Sequence, residues 1–318
     1  MTFRHQLVIT YARWEEAMQD QQLVVRATFN LMNAIFQPSL LKNGTFHLEE
    51  NEMCFNFASA APAFLLFRLF RSVAYPFELY GGIGYGWLDI DNNIDQRTDD
   101  LATADRSKTT QSVMSGSAYQ RAKDALALSK QKKAPAHLLY NGGWQEDALI
   151  NMWFTQWEAI KHQQSSMQQA LSFPYERQVP LYLKLGMQPL TNWPNQDLNK
   201  IEALKRQAIH LHGWSAHYPQ IDYAYHKPTK WLALEGTVGE VGMVMNGFFK
   251  KGYATVLADM IQTTRQNIDY HLHHGQFAQE RNLAAAIVWQ LQREEAVLLP
   301  ADDATNGQDA VEQGKPAE

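Results

Sequence analysis

The chain has 318 residues, 45% of them hydrophobic and 19% charged, with a net charge of −5 and a pI near 6.1. This is globular composition at a length sufficient for two domains, and its charge gives no global attraction to nucleic acid, so a DNA contact must rest on a local patch. No run of about 18 apolar residues suggests a membrane span, and a single cysteine, Cys54, excludes intramolecular disulfides and cysteine-rich zinc sites.

The opening, MTFRHQLVITYARW, lacks the long apolar run and small-residue cleavage site of a secretory leader, so a cytoplasmic protein without a membrane partner is expected. Residues 7–11, LVITY, predict a strand. Residues 15–36 change to helical spacing, with Leu23, Ala27, Leu31, Ala34 and Ile35 on one face. Pro38 and Asn43-Gly44 break the chain. Apolar residues then alternate around EENE as a hairpin, from Phe46 and Leu48 to Met53, Phe55 and Phe57. Residues 60–73 predict a strongly apolar helix ended by Pro76. A glycine-rich strand follows, then a polar loop over 91–113, a helix over 115–130 and a last short strand at 138–140 closed by Asn141-Gly142-Gly143. The succession predicts an α+β domain, residues 1–145, with helices on one face of a mostly antiparallel sheet.

A mainly helical region is expected after it. Residues 149–171 predict one helix with a stripe of Ile150, Trp153, Phe154, Trp157 and Ile160. Residues 146–239 form a helical and irregular connecting region, rich in Pro and aromatics over 172–236, with a helix over 198–211. Short helices return over 240–295, and the acidic tail 296–318 reads as disordered.

The segment ELYGGIGYGWLDI, residues 78–90, tests for phosphate binding. A dinucleotide loop runs G-x-G-x-x-G straight into a helix. Here the glycines run into Trp87, Leu88 and Ile90, which continue a strand, and no phosphate-loop lysine is present. Period two puts Leu79, Gly81, Ile83, Tyr85 and Trp87 on one face and Gly82, Gly84 and Gly86 on the other. A bare strand face invites close approach by a ligand or another backbone. In SGSAYQRAKDALAL, Ala118, Ala122 and Ala125 make a small-residue helix face suited to lie on it.

LYGGIGYGWLDI followed by SGSAYQRAKDAL, with Gly116, Ala118 and Ala122 at the helix start, resembles the SatD family over about residues 5–145 and again near 250–275. That resemblance implies a cyclase- or ferredoxin-like antiparallel sheet, related to class III nucleotide cyclases, and a C-terminal helix-turn-helix. It also makes absences visible. Cyclases hold two metal ions with two aspartates, which offset triphosphate charge. The first position falls at Thr10-Tyr11 and the second at Asn51, among Glu49, Glu50 and Glu52. The asparagine and arginine that steady the cyclase transition state fall at Gln120 and Asp124. The expectation is therefore a scaffold without cyclase activity and without cofactor or metal, that binds a nucleotide or small molecule or forms a homodimer. A divergent metal-dependent nucleotidyl transferase using Glu50 or Glu52 is the alternative.

Residues 254–272, ATVLADMIQTTRQNIDYHL, carry the helix-turn-helix spacing. Leu257 and Ile261 would pack the first helix, Ala258 the crossing, Thr264 would cap the second helix and Ile268 and Leu272 would seat it. Gln262 stands where glycine commonly makes the turn, and Thr263 where an apolar residue is usual. Candidate DNA contacts are Thr264, Arg265, Gln266, Asn267, Asp269, Tyr270 and His271, with Lys250 and Lys251 preceding. Nearby charge is balanced: Lys250, Lys251, Arg265 and Arg281 against Glu240, Asp259, Asp269 and Glu280. A helical hairpin that only packs, dimerises or binds a partner protein is the competing reading. The clusters His271, His273, His274 and His210, His212, His217 match no zinc spacing, and no G-x-S-x-G nucleophile motif is present.

Overall fold

LVITY is apolar at successive positions because its strand is covered on both faces. In the computed structural model it is the second half of β1 (Thr2–Tyr11), and Leu7, Val8 and Ile9 are all fully buried. The structure describes residues 2–12, 18–37, 39–40, 48–49, 52–88, 116–183, 195–211, 218–223, 232–233, 249 and 252–298. The polar loop 91–113 and the tail 301–318 lie outside them.

After β1 come α1 (Met18–Phe36), β2 (Leu48–Glu49), β3 (Glu52–Phe57), α2 (Ala60–Ala74), β4 (Leu79–Leu88), α3 (Ser117–Ser129) and β5 (Leu138–Asn141). One sheet takes the order β2-β3-β1-β4-β5. Its ladders are antiparallel except the last, β4 with β5. The mixed α+β class and the mostly antiparallel sheet are as expected.

The expectation of helices on one face is corrected. Phe29 of α1 meets Phe55 with ring centroids 5.2 Å apart, and a side chain at Gly81 would meet Phe67 of α2. Both contacts lie on the face of Leu7, Ile9 and Ile83, because Leu7 pairs with Phe55 and with Ile83. The opposite face carries Val8, Cys54 and Gly82, and α3 lies there, with Val8, Cys54, Ala122 and Leu126 forming a small separate core. This has a topological consequence. β3, β4 and β5 run in one direction, and the steps β3 to β4 and β4 to β5 move the same way across the sheet. With α2 and α3 on opposite faces, the two crossovers have opposite hands, whereas about 98% of such crossovers are right-handed.

The helix predicted over 149–171 is two helices, α4 (Asp147–Gln163) and α5 (Ser166–Gln178). A capping box at Ser165 and Gln168 starts the second. There follow β6 (Leu181–Tyr182), α6 (Asn195–Leu211), β7 (Leu232–Ala233), α7 (Ala254–Met260), α8 (Arg265–His274) and α9 (Phe277–Leu298). β6 and β7 pair in parallel. α9, at 22 residues, is longer than the short helices expected. It packs against α4 and α2, and one apolar core runs from Leu7 through Phe64, Phe67 and Trp157 to Leu291. Each large apolar side chain fully buried in that core contributes about 1.5–3 kcal/mol. No helix among the described residues is long and apolar enough to cross a membrane.

Candidate nucleic-acid interface

Four residues join α7 to α8. Gln262 takes the left-handed conformation there, with φ of 52°, the conformation a glycine would supply without cost. Thr263 N–H donates to the Ala258 carbonyl at 2.9 Å and closes the turn. The Thr264 hydroxyl caps α8, accepting from Asn267 N–H at 3.2 Å. The Thr263 hydroxyl accepts from Asn267 Nδ2 at 3.1 Å, which explains a polar residue where an apolar one is usual. Leu257, Ala258, Ile261, Ile268 and Leu272 are buried between the helices. The pair is anchored to the rest of the chain from below: Gln164 Nε2 donates to the Gly275 carbonyl at 2.6 Å, and Asp222 N–H to the Met260 carbonyl at 2.9 Å.

What remains outward on α8 is nearly all polar. Thr264, Arg265, Gln266, Asn267, Asp269 and Tyr270 are exposed, and His271 is half-buried. Tyr270 stacks near His274, with centroids 4.2 Å apart. Partial burial, and next the neighbouring His274, holds the His271 imidazole below its usual value, so it carries little charge at neutral pH. Arg265 Nε lies 3.4 Å from Asp269 Oδ2 one turn on, both well exposed; such a pair is weak and open to competition by phosphate. Lys250 and Lys251 lie outside the described residues.

Two charges counted toward the surface balance are not on the surface. Arg281 and Glu280 are buried at the base of α9. Arg68 on α2 makes two bonds to Glu280, both 2.8 Å, and one to Glu176 at 3.0 Å. Arg281 pairs with Glu176 as well, and Trp157 Nε1 donates to Glu280 at 2.7 Å. Burial alone would raise the Glu280 carboxyl. The Arg68 charge and hydrogen bonds, with Lys161 and Trp157, outweigh it and hold that carboxyl at about 2. Burial, together with the charges of Arg71 and Arg68 and against those of Glu280 and Glu158, lowers Lys161 to about 8; its ammonium donates to Ser172 at 2.9 Å.

The glycine row is occupied by α3 itself. A side chain on Gly82 would meet the Ala122 carbonyl, one on Gly84 the Ala118 carbonyl and Ala122 amide, and one on Gly86 the Ser117 hydroxyl. The close approach is by helix backbone. Gly116, with φ of 130°, turns the chain into that helix. The cyclase-type positions are scattered and occupied. Thr10 and Tyr11 are buried, Glu52 pairs with Lys123, and Gln120 Nε2 donates to Asp124 at 3.0 Å on the exposed side of α3. Asn51 and Glu50 lie outside the described residues, as do His212 and His217.

One cluster escaped the sequence reading. His137, just before β5, meets Glu158 and His162 of α4, with one potential ligand atom from each within 4.8 Å of the others. Glu158 and His162 stand four residues apart on one helix face, a legible signal; His137 arrives only through the fold. Comparison with known proteins gives no likeness: no family model, curated protein or solved structure matches the chain.

Proposed function

We propose that this chain is a DNA-binding regulator of the SatD type, in which a cyclase-like scaffold without cyclase chemistry carries a helix-turn-helix. The observation that carries the reading is α8, capped by Thr264 and seated by Ile268 and Leu272, with Arg265, Gln266 and Asn267 exposed at its N-terminal end. A recognition helix contacts base edges with its N-terminal residues, and Arg, Gln and Asn suit guanine and adenine edges. The strand order β4-β1-β3-β2, with α1 and α2 on one face, agrees with the ferredoxin-like topology that the cyclase resemblance implies. The ion pair at Glu52 and the bond between Gln120 and Asp124 favour a scaffold that does not hold two metal ions. Magnesium-dependent turnover of ATP or GTP by the purified protein would overturn that part.

The test is selection from a randomised duplex pool with full-length protein. The parent enriches a defined site, and Arg265→Ala with Asn267→Ala loses it, since each good base contact is worth about 1–3 kcal/mol. Thermal stability stays unchanged, because both side chains are exposed. Equal enrichment by parent and variant sinks the assignment. Arg265 is the one Lys or Arg between Ala254 and His274, so affinity falls with salt on a shallow slope, about 0.9 per phosphate contact. That poverty of charge favours a second reading, in which the same face of α8 docks a partner protein. Failure of the parent to enrich any duplex supports it.

A further inference from the structure

His137, Glu158 and His162 are arranged around one point. Glu158 Oε1 lies 3.1 Å from His162 Nε2 and 3.6 Å from His137 Nδ1. The two rings meet edge to face, centroids 5.3 Å apart. In a tetrahedral zinc site, metal–nitrogen and metal–oxygen bonds of about 2.0–2.2 Å put neighbouring ligand atoms about 3.3 Å apart, and the two measured separations bracket that figure. The Glu158 side chain is 2% exposed, that of His137 15% and that of His162 60%: a buried carboxylate forms the floor, one imidazole a wall and the other a rim open to solvent.

The surroundings orient the donors. His137 Nε2 lies 3.2 Å from Glu78 Oε1. A ring N–H donated there places the lone pair of the neutral imidazole on Nδ1, which is buried without a hydrogen-bond partner and faces the Glu158 oxygen. Two lone pairs facing each other call for a cation between them. A carboxylate holding the far nitrogen of a ligating histidine is the usual outer-shell arrangement. Arg71 grips Glu158 from the other side through both oxygens, at 2.6 and 2.8 Å, and so fixes the floor while competing for its charge.

We propose that His137, Glu158 and His162 bind one borderline divalent cation of the zinc, cobalt or nickel class. Two imidazoles select against magnesium and calcium, which take oxygen ligands. Three protein ligands leave one tetrahedral position to water.

The experiment is titration of untagged full-length protein with Co²⁺, followed by its visible absorption, and with Zn²⁺ by competition against a chromophoric chelator. The parent binds one equivalent with a tetrahedral cobalt spectrum. His162→Ala, at an exposed position, keeps the fold by circular dichroism and weakens binding at least tenfold, and Glu78→Gln weakens it by about tenfold through His137. Absence of saturable binding by the parent overturns the site. So does parent-like binding by His162→Ala, or loss of binding only in His273→Ala with His274→Ala, which would place the metal on α8. The outcome is independent of any DNA contact.

Discussion

Helices α3 and α9 both dock on the N-terminal sheet and its helices, and they do so by opposite chemistry. α3 lies backbone to backbone on β4, where Gly82, Gly84 and Gly86 clear a path for Ala118 and Ala122 and no charge is involved. α9 is joined to α2 through Glu280 and Arg281, which share Arg68 and Glu176 in a fully buried cluster. The first contact depends on the absence of side chains and tolerates no added atom. The second depends on the matching of charges, since a buried ion that loses its partner is left uncompensated. It also ties the base of the helix-turn-helix, which α9 follows directly, to the helix that covers the sheet.

The largest effect should come from breaking the charged contact. Glu176 serves Arg68, Arg281 and the Leu181 N–H, which donates to it at 2.7 Å. Glu176→Gln leaves two buried arginines short of charge, and urea unfolding should show a loss of about 3–5 kcal/mol. A loss below about 1 kcal/mol would mean that the cluster adds little to docking. Gly84→Ala should cost somewhat less, about 1–3 kcal/mol, because the new methyl meets helix backbone and α3 must lift along its length. If Gly84→Ala matches the parent in thermal melting, α3 does not rest on the strand.

The smallest effect separates the contacts by pH. Glu280 has its carboxyl depressed from 4.5 to about 2. The folded state therefore binds fewer protons than the unfolded state between those values, and the stabilisation, present above pH 4.5, is lost as pH falls toward 2. A pH series of melts should show this acid slope in the parent and a flatter one in Glu280→Gln. The α3 contact has no titrating group and should contribute nothing to it.

The same contrast governs what could be read before folding. The glycine alternation at 82, 84 and 86 and the alanines at 118, 122 and 125 lie in two short segments, and their complementarity was legible as spacing. So was the α7–α8 pair, down to the cap at Thr264. The break between α4 and α5 was written locally as well, in Ser165 and Gln168, but the apolar stripe of the surrounding helix hid it. The ion cluster had no local signature: Arg68 and Glu280 are 212 positions apart, Glu176 and Arg281 105. Counting Arg281 as surface charge near the recognition helix was the direct result.

By itself, then, the sequence determined which stretches are strand and helix, where α8 begins, and that β4 must have a bare face, because period, capping and steric size act over a few neighbouring residues. Only the tertiary structure decided that α3 takes the face opposite α1 and α2, that Arg281 and Glu280 are interior, and that His137 meets Glu158 and His162. Those outcomes depend on how crossovers place distant segments against each other, and no local spacing encodes the energy of a charge that folding removes from water.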